Sequence, residues 1–351
     1  MFYVPVVDLN QKPLMPTHPN RAATWIKSGK ATPFWKKGVF CVRLNVEPSD
    51  RKMQDVVVGI DPGSKKESFT VKSEAHTYLN VQTDAVTWLS PSRSKGGKRV
   101  TKLSPIQQRR MMRRTRRSRK NPCRKPRSNR SIGGIPPSTK ARWQWKLRIV
   151  NWLGKMYPIS TFVVEDIKTW TKKGQRKWNK SFSPLEVGKQ WFYQELGKIA
   201  RVELRQGRET KELRDDLGLK KLSDKMSSSF YAHCVDSWVL ANGWVEGDGH
   251  LKPDNTDVLC IVPLRFHRRQ LHRLEPKKGG IRSPYGGTIS LGFKRGSLIR
   301  HPKYGIAYIG GTMDGKISLH SLETGKRLCQ NGKPEDCSFL CYSSWRAVPN
   351  S

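Results

Sequence analysis

Val56-Val57-Val58-Gly59-Ile60-Asp61-Pro62-Gly63-Ser64 opens on five residues that carry neither charge nor polar alternation. Such a run is expected of a strand buried on both faces at the centre of a sheet. Asp61 then stands at the strand tip, and Pro-Gly forces the chain to turn. An acid at that point is walled by the core on one side and open on the other. Taken alone, an Asp before Pro-Gly is a common turn former.

The same texture returns about a hundred residues later, where Thr161-Phe162-Val163-Val164 ends in Glu165 and Asp166. A third acid lies in His233-Cys234-Val235-Asp236-Ser237. This falls in a stretch, Leu222–Trp244, whose pattern predicts a helix, so His233 and Asp236 share one face. Phosphodiester cleavage builds charge on the attacking and leaving oxygens, and two divalent ions ~4 Å apart can clamp both. Hard cations of this kind need convergent oxygen ligands. Acids from two adjacent strand ends and one from a facing helix meet that need. The expected assignment has Asp61 bridging both ions, with Glu165 and Asp236 holding one each. Asp166 is an alternative to Glu165. His233 orients or deprotonates the attacking water, or completes a metal shell. The expected cofactor is therefore Mg2+, as two ions, with Mn2+ a possible substitute.

The 351 residues include 67 Lys and Arg against 28 acids, a net charge of +39. A compact chain with that excess needs counter-charge, and a nucleic acid is the commonest polyanion to provide it. The excess is concentrated: 15 of the 33 residues from Lys98 to Arg130 are basic and none is acidic. Arg109, Arg113, Arg116 and Lys120 recur at helical spacing beside Arg110, Arg114 and Arg117, with Arg119 adjoining. A helix basic on most faces suits a rod surrounded by phosphates. The loop Lys168–Phe182 interleaves lysines and Arg176 with Trp170 and Trp178, a combination suited to tracking phosphates and stacking bases. Seven cysteines without framework spacing point to a reducing compartment, and Cys329, Cys337 and Cys341 read as thiols rather than a zinc site. No apolar run approaches the ~20 residues of a membrane helix, so no membrane partner is expected.

Around these motifs, Phe2–Val7 and Val39–Val46 read as strands and Asn20–Lys27 as a helix closed by Gly29. Lys12–Pro16 reads as a turn, Phe69–Val71 and Tyr78–Val81 as antiparallel returns, and Lys140–Met156 as an amphipathic helix. A further helix is expected near Pro184–Ile199. Asp215-Asp216 reads as solvated charge, and glycine-rich strands follow after Gly243, as a small barrel or sheet.

Asp61, Glu165 and His233-x-x-Asp236 resemble the three split RuvC motifs of transposon-encoded RNA-guided nucleases. The N-terminal Lys12-Pro13-Leu14-Met15-Pro16-Thr17-His18-Pro19, with Arg21-Ala22, is similar to the PLMP module that opens proteins of the IscB and IsrB type. The arginine-rich segment resembles their bridge helix. Between Glu165 and His233 there is no histidine, and only about 65 residues, so no HNH nuclease fits there. The resemblance is therefore to the HNH-less IsrB branch.

This resemblance implies an α/β fold: an RNase H-like (RuvC) mixed sheet with flanking helices. To it are added a small α+β PLMP module, an inserted arginine-rich bridge helix and a β-rich C-terminal domain. The implied divisions are 1–52 (PLMP), 53–97 (RuvC part I), 98–136 (bridge and linker), 137–182 (RuvC part II), 183–245 (RuvC part III with a helical insert) and 246–351. The last would grip guide RNA and the motif beside the DNA target, through Arg265, His267, Arg268, Arg269, His272, Arg273, Lys294, Arg295 and Arg300. The implied activity is guide RNA-directed nicking of the non-target strand. The partners are a long structured guide RNA and double-stranded DNA with an adjacent motif, around a monomeric protein in a prokaryotic cytoplasm, at the nucleoid when bound to DNA. An RNA-independent resolvase or transposase and a nuclease-inactive RNA binder are the alternatives.

Overall fold

The computed structural model describes residues 3–86, 135, 137–168, 186–245, 252–264, 274–275, 280–281 and 289–348. The arginine-rich segment with Arg109, Arg110, Arg113, Arg114, Arg116, Arg117, Arg119 and Lys120 lies outside these, as do residues 169–182 and 265–273.

The run Val56–Asp61 is strand β5 and is buried throughout. It follows an N-terminal module of β1 (Val4–Val7), β2 (Pro13–Thr17), helix α1 (Pro19–Lys27), β3 (Ala31–Lys36) and β4 (Val39–Leu44). That module is a sheet in the order β2-β1-β4-β3, with Ala22 of α1 in a core of Val4, Val6, Leu14, Ala31, Val42 and Leu44. Lys12–Pro16, expected as a turn, is corrected: Pro13–Thr17 is a strand. Its prolines are tolerated because β2 is at the sheet edge, where a missing N–H costs no ladder bond. His18 caps α1 by accepting from Asn20 N at 3.2 Å.

After β5 come β6 (Lys66–Lys72), β7 (Thr77–Asp84), α2 (Pro137–Leu153), β8 (Ile159–Asp166), α3 (Lys189–Gly197), β9 (Arg201–Gln206), α4 (Gly207–Asp216) and α5 (Cys234–Asn242). Next are β10 (Val258–Pro263) and two short hairpins, β11 (Leu274–Glu275) with β12 (Gly280–Ile281) and β13 (Ile289–Ser290) with β14 (Phe293–Lys294). The series ends with β15 (Ser297–His301), β16 (Gly305–Met313), β17 (Lys316–His320), β18 (Arg327–Gly332), β19 (Ser338–Tyr342) and β20 (Trp345–Val348).

The architecture is mixed α/β. A seven-stranded sheet runs β20-β10-β7-β6-β5-β8-β9. Within it, β5 is antiparallel to β6 and parallel to β8, and β8 is parallel to β9. The residues of β15 to β19 form a separate five-stranded sheet in the order β18-β17-β16-β15-β19. The chain enters and leaves that region through β10 and β20, which pair with each other, and β10 also joins β7.

Alternation along the strands divides the helices between the two faces of the large sheet. Val56, Val58, Ile60, Phe162 and Val164 pack with Trp145, Ile149, Trp152 and Leu153 of α2 and Phe192 and Leu196 of α3. Val57 and Val163 face the other way, onto Leu240 and Ala241 of α5. The helix expected over Leu222–Trp244 is shorter. Asp224, Ser227 and Ser229 spend their side chains on nearby backbone N–H groups of Met226, Ser229 and Tyr231, which competes with helix formation. Gly188, in the left-handed region at φ 88°, likewise delays α3 to Lys189.

Two buried ion pairs tie helices to the sheet: Lys146 of α2 to Glu67 of β6, and Lys189 of α3 to Asp166 of β8, each at 2.7 Å. Sheet and helix also approach closely at Gly59, where a Cβ would lie 1.8 Å from the carbonyl oxygen of Ser237 on α5. Gly59→Ala is expected to cost about 3 kcal/mol, the upper end of overpacking costs, because the clash is with backbone. The thermal midpoint by circular dichroism should fall by at least about 6 °C. Gly197→Ala, whose Cβ meets nothing within 4 Å, should leave it near the wild-type value.

Candidate active site

Asp61 ends β5, Glu165 is next to last in β8, and Asp236 is in the first turn of α5. The face that carries Val57 and Gly59 also carries Asp61, because strand side chains repeat every second residue. In β8 that same face carries Val163 and then Glu165. The parallel register brings Gly59 beside Val163 and Ile60 beside Val164, so the two acids come together at the strand ends. The side chains of Glu165 and Asp61 are hydrogen-bonded to each other. Asp166, the alternative, points to the opposite face. There its Oδ1 accepts from Lys189 Nζ at 2.7 Å and Tyr193 Oη at 3.0 Å.

Burial and crowding set the charge state. Asp61 is raised above the ordinary carboxylate range by desolvation and by Asp236, against the opposing pull of Lys221. Glu165 is pushed up to about 8, first by burial and then by the charges of Asp61 and Asp236. Burial and the neighbouring carboxylates thus favour the protonated form of Glu165.

Asp236 is met by two cations that sequence reading did not single out. Its Oδ1 accepts from Arg214 Nη1 of α4 at 2.6 Å, and its Oδ2 is paired with Lys221 Nζ. The Asp236 side chain is 5% exposed. Burial opposes the charge on Lys221, but the carboxylates of Asp61 and Asp236 outweigh it and raise its pKa. No local pattern in Leu219-Lys220-Lys221 marks these residues, since the pairing spans 15 positions and depends on how α4 is docked. Asp215 and Asp216, at the end of α4, are exposed.

His233 is the residue before α5 rather than within a longer helix. Its Nε2 is 3.0 Å from the carbonyl of Lys225, which fixes Nε2 as the donor and leaves Nδ1 as the proton acceptor of the neutral ring. Its own carbonyl accepts from Ser68 Oγ of β6 at 2.9 Å, and Thr70 Oγ1 is 2.9 Å from Ser237 Oγ, so polar contacts seat α5 over β6.

Among the described residues no three His, Cys, Asp or Glu side chains already stand in a metal-holding arrangement. The donor set is nevertheless of the right kind for a hard divalent cation. Asp61, Glu165 and Asp236 offer carboxylate oxygens, and their mutual repulsion is what added positive charge would relieve. A cavity of about 630 Å³ lies at the other end of β5 and β8, lined by Asp55, Ser160, Thr161, Arg201 and Trp244 among others, and shares none of these acids. Cys329, Cys337 and Cys341 are free thiols. Lys294 places its ammonium 5.4 Å from the centre of the Tyr342 ring, and Arg300 is exposed.

Residues 4–181 match the family model described as RRXRR protein, about half of the chain. The chain belongs to the RRXRR family. The matched span contains Arg113-Arg114-Thr115-Arg116-Arg117, together with β5 and β8 and hence Asp61 and Glu165 of this RRXRR protein. Asp236 and His233 lie beyond it. No curated protein matches the chain.

The raised pKa of Glu165 makes stability depend on pH in a defined direction. Its folded-state pKa exceeds the unfolded value, so its contribution is complete below about 4.5 and is lost as pH rises through about 8. In chelator, the wild-type thermal midpoint should fall across this window more steeply than that of Glu165→Gln. Parallel scanning-calorimetry profiles over pH 5–8.5 would contradict this charge assignment.

Proposed function

We propose that this RRXRR protein is a guide RNA-directed, magnesium-dependent endonuclease that nicks the DNA strand not paired with the guide. The observation that carries this reading is that Asp61 and Glu165 meet at the ends of two adjacent parallel strands, with Asp236 of the facing helix acting electrostatically on both, in a chain of net charge +39. The order β7-β6-β5-β8-β9, with three antiparallel strands followed by two parallel additions, supports an RNase H-like core of RuvC type. The RRXRR family is linked to IscB/IsrB-type proteins, which favours a long structured RNA and duplex DNA as partners over an RNA-free resolvase. Among the described residues no helix is long and apolar enough to cross a membrane.

In this reading Asp61, Glu165 and Asp236 would hold magnesium, or manganese in its place. The bound ions would supply charge stabilisation at the attacking and leaving oxygens of the phosphodiester. The protein's own groups do the rest. Glu165 would give up its proton on entry of positive charge, which would offset the burial and the carboxylate repulsion that favour it. Asp61, buried at the strand tip, holds its carboxylate in one orientation. His233, clamped through Nε2, presents Nδ1 as a base for the water that attacks. Basic side chains of the arginine-rich segment would carry RNA and DNA by phosphate contacts, without reading sequence.

A second reading, an RNA binder without nuclease activity, is favoured by the engagement of both Asp236 oxygens with Arg214 and Lys221. One experiment separates the two. The protein is purified with its copurifying RNA, the RNA is sequenced, and a supercoiled plasmid carrying the matching target is supplied with Mg2+. Nicking of the non-target strand is expected, with loss in EDTA. Asp61→Ala should reduce the rate by about 10³-fold, the equivalent of ~4 kcal/mol of transition-state stabilisation, while RNA binding persists. Equal nicking by Asp61→Ala would refute the assignment, and no nicking by wild type on a verified target would leave the RNA-binder reading.

A further inference from the structure

Arg214 and Lys221 treat Asp236 unequally, although each takes one of its oxygens. Arg214 belongs to α4, whose Leu213 packs with Val235, Trp238 and Val239 of α5 in a common apolar cluster. Its side chain is 15% exposed and is carried by a helix that cannot shift without opening that cluster. Lys221 belongs to the irregular stretch 217–229 between α4 and the 3-10 turn Phe230–Ala232. Residues 220–226 of that stretch are exposed, Met226 by 67%, and Lys221 keeps 30% of its own side chain in solvent. The backbone here is held at separate points: Leu222 N donates to Tyr231 O at 2.9 Å, and Gln82 Nε2 donates to Ser227 O at 2.9 Å. A flexible four-carbon stem on such a segment can withdraw its ammonium without disturbing the core.

Resting on the metal-dependent reading above, we infer that Lys221 is a built-in counter-cation that competes with a divalent ion for Asp236. With no divalent ion, its ammonium neutralises the carboxylates and closes the acid cluster. When the ion enters, Lys221 is displaced toward solvent while Arg214 stays to hold Asp236 in place. The chain's own lysine therefore sets how much divalent cation is needed before all three acids act together.

The test uses the full chain freed of nucleic acid and Mn2+ as the probe, with free Mn2+ followed by electron paramagnetic resonance. The binding counted is the fraction that Asp61→Ala removes. Lys221→Met, which keeps the length of the side chain and removes its charge, should bind Mn2+ more tightly by about tenfold at this site, the usual scale for coupling between competing ligands. Equal or weaker affinity in Lys221→Met would overturn the inference and leave the nuclease assignment standing. Absence of any Asp61-dependent Mn2+ binding, in wild type and variant alike, would overturn both. A second readout needs no variant. Amine-reactive labelling of wild type, read by mass spectrometry, should modify Lys221 several-fold more with saturating Mn2+ than in chelator. Lys198, 68% exposed, serves as the unchanged reference. Labelling of Lys221 that ignores Mn2+ would refute the displacement.

Discussion

The fold depends on an absence of side chain at one point. With only hydrogen on Gly59, α5 can lower the Ser237 carbonyl onto β5, and the helix then sits close enough for the charge of Asp236 to act on Asp61. The polar contacts from Ser68 and Thr70 of β6 fix the helix in rotation as well as distance. Were α5 lifted by the width of a methyl group, the two strand-end acids would remain together and the third would leave them. The apolar residues around this contact supply stability, but the position of the charge-bearing groups follows from the bare backbone.

Gathering like charges under a helix is unfavourable, and the molecule answers it in two ways. Glu165 is pushed toward its protonated form beside Asp61, while Asp236 is neutralised by Arg214 and Lys221. Glu67 and Asp166 meet buried lysines in an analogous manner, but each has one dominant partner, and they join helices to the sheet. The acids of the candidate site differ because one of the compensating cations, Lys221, is on an exposed segment. A structural ion pair gains from being permanent, whereas a site gains from being exchangeable.

Much of this was legible in the chain. The uninterrupted apolar runs of β5 and β8 announce central strands, and the acids that end them mark a candidate site, because both signals are local. The two inward tryptophans of α2, Trp145 and Trp152, followed from helical periodicity and are buried. The choice between Glu165 and Asp166 was available in principle: counting by twos from Val163 or Val164 assigns each acid a face, but which face meets α5 requires the tertiary packing. Edge position was invisible, so the prolines of β2 suggested a turn. The strands β3 and β9, half-exposed and mixed in composition, lacked the period that marks a buried strand. Lys221 and Arg214 could not be picked out among 67 basic residues, since their partner is chosen by the docking of α4.

The pairing of β10 with β20 has a consequence for how the molecule comes into being. Trp345 of β20 rests edge-on against Trp145 and Trp152, at 5.8 and 5.1 Å between ring centres, and closes the same apolar core that begins at β5. On the ribosome, that cavity between tryptophans stays open until residue 345 has emerged, long after the strands bearing Asp61 and Glu165 have been made. Such a separation along the chain is expected to slow assembly, and it leaves a half-finished sheet with an exposed edge in the interval.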